Sequence, residues 1–540
     1  MPENPAETSA ANPPPPPRGH RLGLLAGIWI VALAAIGVLR IVATELDRNI
    51  HTWITLGTFL LASTATFLWL AFLSRIRWKL RIVIIVAILV GGFALSKMLT
   101  RDGAVDGRGL PRLVWKWSKK EIAVTSQPGG TNAIPATVNL TNISALLADV
   151  PQFFGPQRDG VVRGVALATD WNASQPKLLW RQPIGIGWSA FAVVCSRAYT
   201  EEQRGDAELV TCYDIASGRL LWAHTNLTRF VEWQGGDGPR ATPTVNGGRV
   251  FAYGATGILD CLDATNGVRV WSRNILKEFQ QPNLNWGTCS SPLVVDDAVI
   301  VTGGNANSAT VFAFHRATGD PLWRAGNDKA SYASPILVTL AGVRVVLSAN
   351  AATLTAHDPA TGKLLLDHRW VKEKQADTPK GAQPVVVGTN RVFLSSGYGV
   401  GCAMIEVKAR DDGKLTAADV WRGRSMKNQF NSVSVRDGFL YGLDDGFLAC
   451  VDAATGERRW KDGRFGSGQS ILVGDIVLIQ SERGPVVLAR ARPDAYEELA
   501  RLAALDGKTW NHPTLAGRVL LVRNDREAAC YELPGTRTTR

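Results

Sequence analysis

Thr242-Pro-Thr-Val-Asn-Gly-Gly248, Arg249-Val-Phe-Ala-Tyr253, Gly257-Ile-Leu-Asp-Cys-Leu262 and Asp263-Ala-Thr-Asn-Gly267-Val-Arg-Val-Trp271 together decide the fold. The first segment opens a strand and a turn, the second and third alternate in face as strands do, and Val268–Trp271 reads as a fourth strand. Between the third and fourth, an acidic residue caps backbone N–H groups and glycine supplies the φ that a tight turn needs. The tryptophan that follows is then placed to cover a neighbouring sheet.

The last phrase recurs along the chain. It appears as Asp214-Ile-Ala-Ser-Gly218 with Trp222, His315-Arg-Ala-Thr-Gly319 with Trp323, Asp358-Pro-Ala-Thr-Gly362 with Leu366 and Asp452-Ala-Ala-Thr-Gly456 with Trp460. Degenerate copies end at Gly413 with Trp421 and at Gly507 with Trp510. Successive glycines are 49, 52, 43, 51, 43 and 51 residues apart, a period that suits a four-stranded propeller blade. Such sheets arranged radially leave only short, protected edges.

Seven copies begin near Ser189, Thr242, Ser291, Ser334, Gln383, Ser432 and Ser470. Leu515–Leu533 supplies further strands without a tryptophan phrase, and Lys177-Leu-Leu-Trp180 is a fourth strand with nothing before it. Joining these fragments gives an eighth blade stitched from both ends of the domain; the alternative is seven blades with one fragment packed outside. The fold expected is therefore all-β over residues 151–535, an eight-bladed β-propeller of four-stranded antiparallel sheets, preceded by three transmembrane α-helices.

Those helices are read at about 22–43, 53–73 and 82–99, each near the roughly 20 apolar residues that cross a hydrocarbon core. A proline-rich tail (1–20) precedes them, and residues 101–150 read as a linker rich in Gly, Pro, Ser and Thr. No small-residue cleavage site follows the first span, which favours a signal anchor over a removed signal peptide. The link between the second and third spans carries Arg75, Arg77, Lys79 and Arg81 with no acid, whereas Glu45, Asp47 and Arg48 lie between the first and second. The positive-inside rule puts the four-cation link in the cytoplasm and the propeller outside it.

The net charge of +12 has the same origin. Residues 1–120 hold fifteen Lys or Arg against six Asp or Glu, while the remaining 420 are nearly balanced. The basicity flanks the membrane and does not form a nucleic-acid footprint. Seven cysteines with no CxxC and no adjacent pair argue against a zinc ribbon or a redox dithiol. Cys212, Cys261, Cys450 and Cys530 each stand two residues before an acidic residue, the register of a small side chain packed at one place in successive repeats.

The phrase resembles the tryptophan-docking repeat of the PQQ-type (pyrrolo-quinoline quinone) propeller family. That family includes quinoprotein dehydrogenases and the lipoprotein propeller of the outer-membrane barrel assembly machinery. Phe154-Gly-Pro-Gln-Arg-Asp-Gly160, Glu202-Gln-Arg-Gly205 and Gly238-Pro-Arg-Ala-Thr-Pro243 are similar to segments of membrane-anchored bacterial propellers of the PQQ-binding-like kind. The resemblance spans about residues 151–533 and implies a fold without fixing a reaction.

As a cofactor the resemblance implies PQQ with calcium. Such an enzyme needs oxygen ligands for the ion, cations for the quinone's carboxylates, and an Asp base. Dehydrogenases of the family also carry a disulfide between adjacent cysteines, and no two cysteines are adjacent here. No Glu, Asn and Asp set transfers onto these strands, and the scattered histidines have no metal-ligand spacing. The sequence thus assigns no cofactor and no metal site, and leaves calcium-bound PQQ as the alternative.

Where a ligand would sit follows from topology. The starts of the first strands and the links from second to third strands share one face around the central channel. They place Trp188, Gln203, Arg204, Arg240, Thr242, Trp286, Ser290, Ser334, Gln383, Asn431 and Gln469 at the channel mouth. The competing reading is architectural, since small polar residues start strands in any propeller. Two functions follow. One is an extracytoplasmic binding scaffold, not an enzyme, held by three helices and meeting an envelope protein. The other is a quinoprotein dehydrogenase of alcohols or sugars that feeds electrons to the membrane.

Overall fold

The computed structural model describes residues 22–43, 46–118, 143–304 and 309–536. The proline-rich tail and residues 119–142 of the linker lie outside the described residues. The chain divides into two compact units, Met1–Leu46 with Ile50–Thr100, and Asp47–Asn49 with Arg101–Arg540.

The first unit holds three helices long and apolar enough to cross a membrane: Leu22–Val42, Arg48–Leu73 and Trp78–Met98. Their large apolar side chains, such as Ile30, Leu60 and Phe93, are exposed, as expected of helices that are apolar all round. The second ends in a π turn, Trp69–Leu73. Carbonyls freed near that end are taken up by Arg81, which donates to Ala71 O (3.1 Å) and Ile76 O (3.2 Å). Trp29 joins the first two helices by donating to Thr66 Oγ1 (3.1 Å).

The second unit is the propeller. Blade one is Ala192–Val194, Arg197–Arg204, Ala207–Asp214 and Leu220–Asn226, running outward from the channel in sequence order. Blades two to seven repeat this order over residues 244–274, 293–325, 336–369, 385–423, 434–462 and 469–502. Thr514–Ala516, Val519–Arg523 and Glu527–Glu532 take Lys177–Pro183 as their fourth strand, with Cys530 opposite Trp180. The blade made from both ends of the domain is therefore present, and the count is eight.

The fourth-strand tryptophans do what their spacing predicts. Trp180 donates its indole N–H to Ile215 O (2.6 Å), Trp222 to Ala264 O (3.2 Å) and Trp271 to Arg316 O (2.9 Å), always across to the next blade. Under the ring lies the next blade's turn glycine: Gly218 beneath Trp180, Gly267 beneath Trp222 and Gly319 beneath Trp271, all at positive φ. Opposite Trp222, Trp271, Trp460 and Trp180 on the third strand sit Cys212, Cys261, Cys450 and Cys530, fully buried and unbridged. The four cysteines share one packing position.

The phrase ending at Gly507 is a coincidence of sequence. Blade seven turns into its fourth strand, Glu498–Leu502, after Arg490, and has Ala500 where all the other blades but blade four have tryptophan. Gly507 and Trp510 lie in the connection to blade eight.

Part of the stretch read as linker is ordered. Leu99–Ala104 and Pro111–Trp115 pair as a two-stranded sheet. Val161–Val162 adds a parallel strand to the inner edge of blade seven.

Candidate functional site

The mouth is built on a belt of hydrogen bonds that runs from blade to blade. Ala190 N–H donates to Thr242 Oγ1 (3.1 Å), and Thr242 N–H to Ser291 Oγ (2.9 Å). Ser291 N–H donates to Ser334 Oγ (2.9 Å), Ser334 N–H to Gln383 Oε1 (2.8 Å), and Gln383 N–H to Ser432 Oγ (3.2 Å). At the seam between blades eight and one, Asn511 donates to Gly187 O (3.0 Å) and Ser189 O (2.8 Å). A short polar side chain before the innermost strand thus satisfies a buried N–H on the preceding blade, which would be costly to leave unpaired.

Thr242, Ser334 and Gln383 are engaged in that belt. Ser290 accepts from Thr302 N–H in its own blade (3.0 Å), and Asn431 donates to Leu443 O (3.1 Å). Arg204 turns to Glu202 (3.0 Å) and the Tyr213 hydroxyl (2.9 Å). Gln203 accepts from Phe230 N–H (2.9 Å) and so pins the long connection between blades one and two. Arg240 lies 4.6 Å from the Phe230 ring and donates to Gly236 and Gly238 carbonyls; burial lowers its pKa. Trp286 meets Tyr332 edge-on at 5.6 Å.

Trp188 and Gln469 come together around a residue the sequence reading placed elsewhere. Trp510 packs against Trp188 (ring centroids 5.0 Å) and Phe430 (5.1 Å), and its carbonyl accepts from Gln469 Nε2 (2.9 Å). Lys508 lies over both indoles, 4.7 Å from Trp188 and 4.4 Å from Trp510, and burial lowers its pKa. Lys508 and Trp510 escaped the sequence reading because Gly507–Trp510 mimics the repeat.

The turn of the 99–115 hairpin lies in this same mouth. Gly107 N–H donates to Glu482 Oε1 (2.7 Å), which also accepts from the Trp510 indole (2.8 Å). A β-carbon on Gly107 would collide with Ser467, and one on Gly109 would sit 2.5 Å from Gln234. Arg101 covers Trp233 at 5.4 Å. No sequence signal distinguishes this hairpin, whose fit depends on glycines within a Gly-rich stretch.

The interior of the channel is held by two buried arginines. Arg523 donates to Thr200 Oγ1 (2.7 Å), Glu201 O (3.0 Å) and Gly185 O (2.8 Å), tying blade eight to blade one. It had read as part of a polar turn. Arg158, from Phe154–Gly160, donates to Ser291 O (3.0 Å), Pro335 O (2.9 Å) and Pro292 O. Burial draws its pKa down to about 9, so it remains a cation aimed at carbonyl oxygens. Between blades one and two, burial lifts the Glu208 carboxyl to about 7 and pushes Glu201 well above the usual range.

Calcium-bound PQQ does not fit these residues. Among the described residues no group of three or more His, Cys, Asp or Glu side chains could hold a metal ion. Glu202 is engaged by Arg204 and Tyr213, and Glu482 by Gly107 and Trp510. The two indoles that could cover a quinone pack against each other.

Fold, docking tryptophans and closing strand define an eight-bladed propeller of the PQQ-repeat type. More particularly, residues 205–462 match the family model described as "Outer membrane protein assembly factor BamB". The protein of that name from Bordetella pertussis is 23% identical over 419 residues, covering 74% of this chain and 96% of its own. The quinohemoprotein alcohol dehydrogenase of Comamonas testosteroni shares the fold at 13% identity and a TM-score of 0.53, covering 74% of this chain and 83% of that one. The crystal structure of BamB from Moraxella catarrhalis aligns at 15% identity with a TM-score of 0.49, over 68% of this chain and 99% of that one.

Proposed function

We propose that the protein is a binding scaffold held in the bacterial inner membrane by its three helices, with the propeller in the periplasm meeting an envelope protein. The observation that carries this reading is the connection between blades one and two. Leu227 is 94% exposed and Val231 61% exposed on it, beside the partly exposed Trp233. The connection is nevertheless rigid: Glu232 accepts from Gln234 N–H (3.0 Å) and Gly235 N–H, and Gln203 and Arg240 hold Phe230 beneath. Large apolar side chains displayed on a fixed loop suit a protein contact. The assembly-factor name of the Bordetella relative supports an envelope protein as partner. The four-cation link between the second and third helices supports the orientation.

The test is a photo-cross-linking amino acid placed at Leu227 or Val231 of the full-length chain in its native membrane. One discrete envelope protein should cross-link, and Val231→Asp should abolish its capture from Leu227. Purified full-length protein should give no alcohol- or sugar-dependent dye reduction with PQQ and Ca²⁺. Saturable quinone binding with such turnover, and no discrete cross-link, would overturn the reading in favour of a quinoprotein dehydrogenase.

A further inference from the structure

The hairpin whose turn reaches the mouth has a second, exposed end. Its first strand, Leu99–Ala104, begins at the residue after Met98, where the third apolar helix stops. The chain turns back after Val105, whose N–H donates to Leu110 O (2.8 Å), and returns as Pro111–Trp115. Antiparallel pairing therefore carries Trp115 back to the start of the first strand, one strand spacing of about 5 Å to the side.

The returning strand displays large apolar side chains. Leu113 is 55% exposed, Trp115 43% and Trp117, in the short helical turn that follows, 69%. Leu113 and Trp115 share a face through the two-residue period of a strand. The two indoles stack, with ring centroids 5.1 Å apart and planes 12° from parallel. Val114, on the alternate face, is half-buried, and Arg101 of the first strand covers Trp233. Two basic residues stand among the apolar ones: Lys116 is exposed, and Arg112 pairs with Asp102 (3.0 Å).

We infer that Leu113, Trp115 and Trp117 form an interfacial anchor for a phospholipid surface, with Lys116 at the level of the lipid phosphates. Three features point to lipid as the occupant. Tryptophan beside lysine or arginine is the composition of a membrane–water boundary, where an indole offers an apolar body and a polar N–H. The stripe is also paired to a strand that continues directly from an apolar helix of spanning length. Finally, each strand of this two-stranded sheet keeps an unpaired edge. Water and phosphate oxygens can satisfy that edge at headgroup depth and hydrocarbon cannot, so the stripe lies in the boundary and does not cross it. The inference rests on the reading of the three helices as membrane-spanning and is independent of Leu227 and Val231.

The test places a photo-cross-linking amino acid at Trp117, and separately at Phe93 in the third helix, of the full-length chain in its native membrane. Phospholipid adducts, read by mass, are expected at both positions and not at the exposed Lys363 on the turn of blade four. Adducts at Phe93 with none at position 117 would overturn this inference alone. Adducts at neither would remove it together with the membrane reading. A discrete protein adduct at 117, a second copy of the chain included, would assign the stripe to a protein contact instead.

The cross-linker removes one indole, so a second measurement keeps both in the reference. Tryptophan emission of the full-length protein in phospholipid nanodiscs is compared with that of Trp115→Ser/Trp117→Ser. The difference spectrum should be shifted to the blue, quenched by lipids brominated near the top of their acyl chains, and protected from acrylamide. Both substituted residues are exposed, so the blades should unfold at an unchanged midpoint. A difference spectrum that acrylamide quenches freely and brominated lipid leaves intact would sink the proposal.

Discussion

Trp180 lies across Gly218, close enough that a β-carbon on the glycine would fall 2.7 Å from the indole. Trp180 belongs to the strand that enters blade eight from the N-terminal side of the domain, and Gly218 to the turn of blade one. The contact therefore closes the ring. It repeats the packing of Gly267 under Trp222 and of Gly456 under Trp421, so closure uses the same joint as the seams that follow Trp222, Trp271, Trp323 and Trp421.

Gly218→Ala should destabilise the propeller by about 2 to 4 kcal/mol, combining the cost of a side chain at φ +72° with overpacking against the indole. Gly413→Ala is the matched control. Its φ is +74°, but nothing lies within 4 Å of the added carbon, since Gly413 stands at the tip of a longer hairpin that pairs out to Ala409 and Leu415. It should cost only about 1 kcal/mol. Denaturant unfolding of the two variants measures the difference, and equal losses would show that the ring contact is unimportant.

Why the fold was legible and the site less so follows from these joints. Asp214, Gly218 and Trp222 act within one repeat or across one seam, so their chemistry is written at a fixed spacing. The same logic located the closing strand, because Trp180 without a preceding blade demands one. Arg523 and Arg158 give no such signal. Each is a lone basic residue in a polar segment, and its burial is set by carbonyls more than a hundred residues away, or even three hundred. The candidate mouth residues occupy the predicted strand starts, yet the same positions must also stitch neighbouring blades. Sequence does not separate these roles; only the partners of Thr242, Ser334 and Gln383 do.

Glu208 gives the propeller a pH dependence of definite sign. Burial raises its pKa from 4.5 in the unfolded chain to about 7. Between those values the folded protein holds a proton that the unfolded chain releases, so this contribution to stability falls as pH rises through the window, by about 3 kcal/mol. His512, drawn down to about 4 by burial, acts oppositely between about 4 and 6.5, where the unfolded chain binds the extra proton. Comparison with Glu208→Gln isolates the first effect, since the amide oxygen can still accept from Ala255 N–H (3.0 Å) while the amide N–H donates to Thr256 Oγ1 (3.2 Å). The variant should gain on the wild type from pH 5 to pH 8. A constant difference would mean that Glu208 is ionised throughout.

The hairpin turn at Gly107 should behave as a plug that can be loosened without unfolding the blades. It is held by the Gly107 bond to Glu482 and by its fit against Ser467, whereas the blade belt passes through other residues. Gly107→Val forces the turn away from Ser467 and lengthens or breaks a charge-assisted bond, which such bonds' usual strength makes worth roughly tenfold or more in local opening. Trypsin cleavage after Arg101, Arg108 and Arg112 should accelerate by about that factor. Acrylamide quenching of Trp188 and Trp510 should rise, and the midpoint of global unfolding should not move. Ser467→Gly removes the colliding side chain, so the pair Gly107→Ala with Ser467→Gly should restore slow cleavage that Gly107→Ala alone loses. If Gly107→Val leaves cleavage and quenching unchanged, the hairpin does not close the mouth. If it lowers the unfolding midpoint instead, the hairpin is part of the propeller's core stability and not a removable cover.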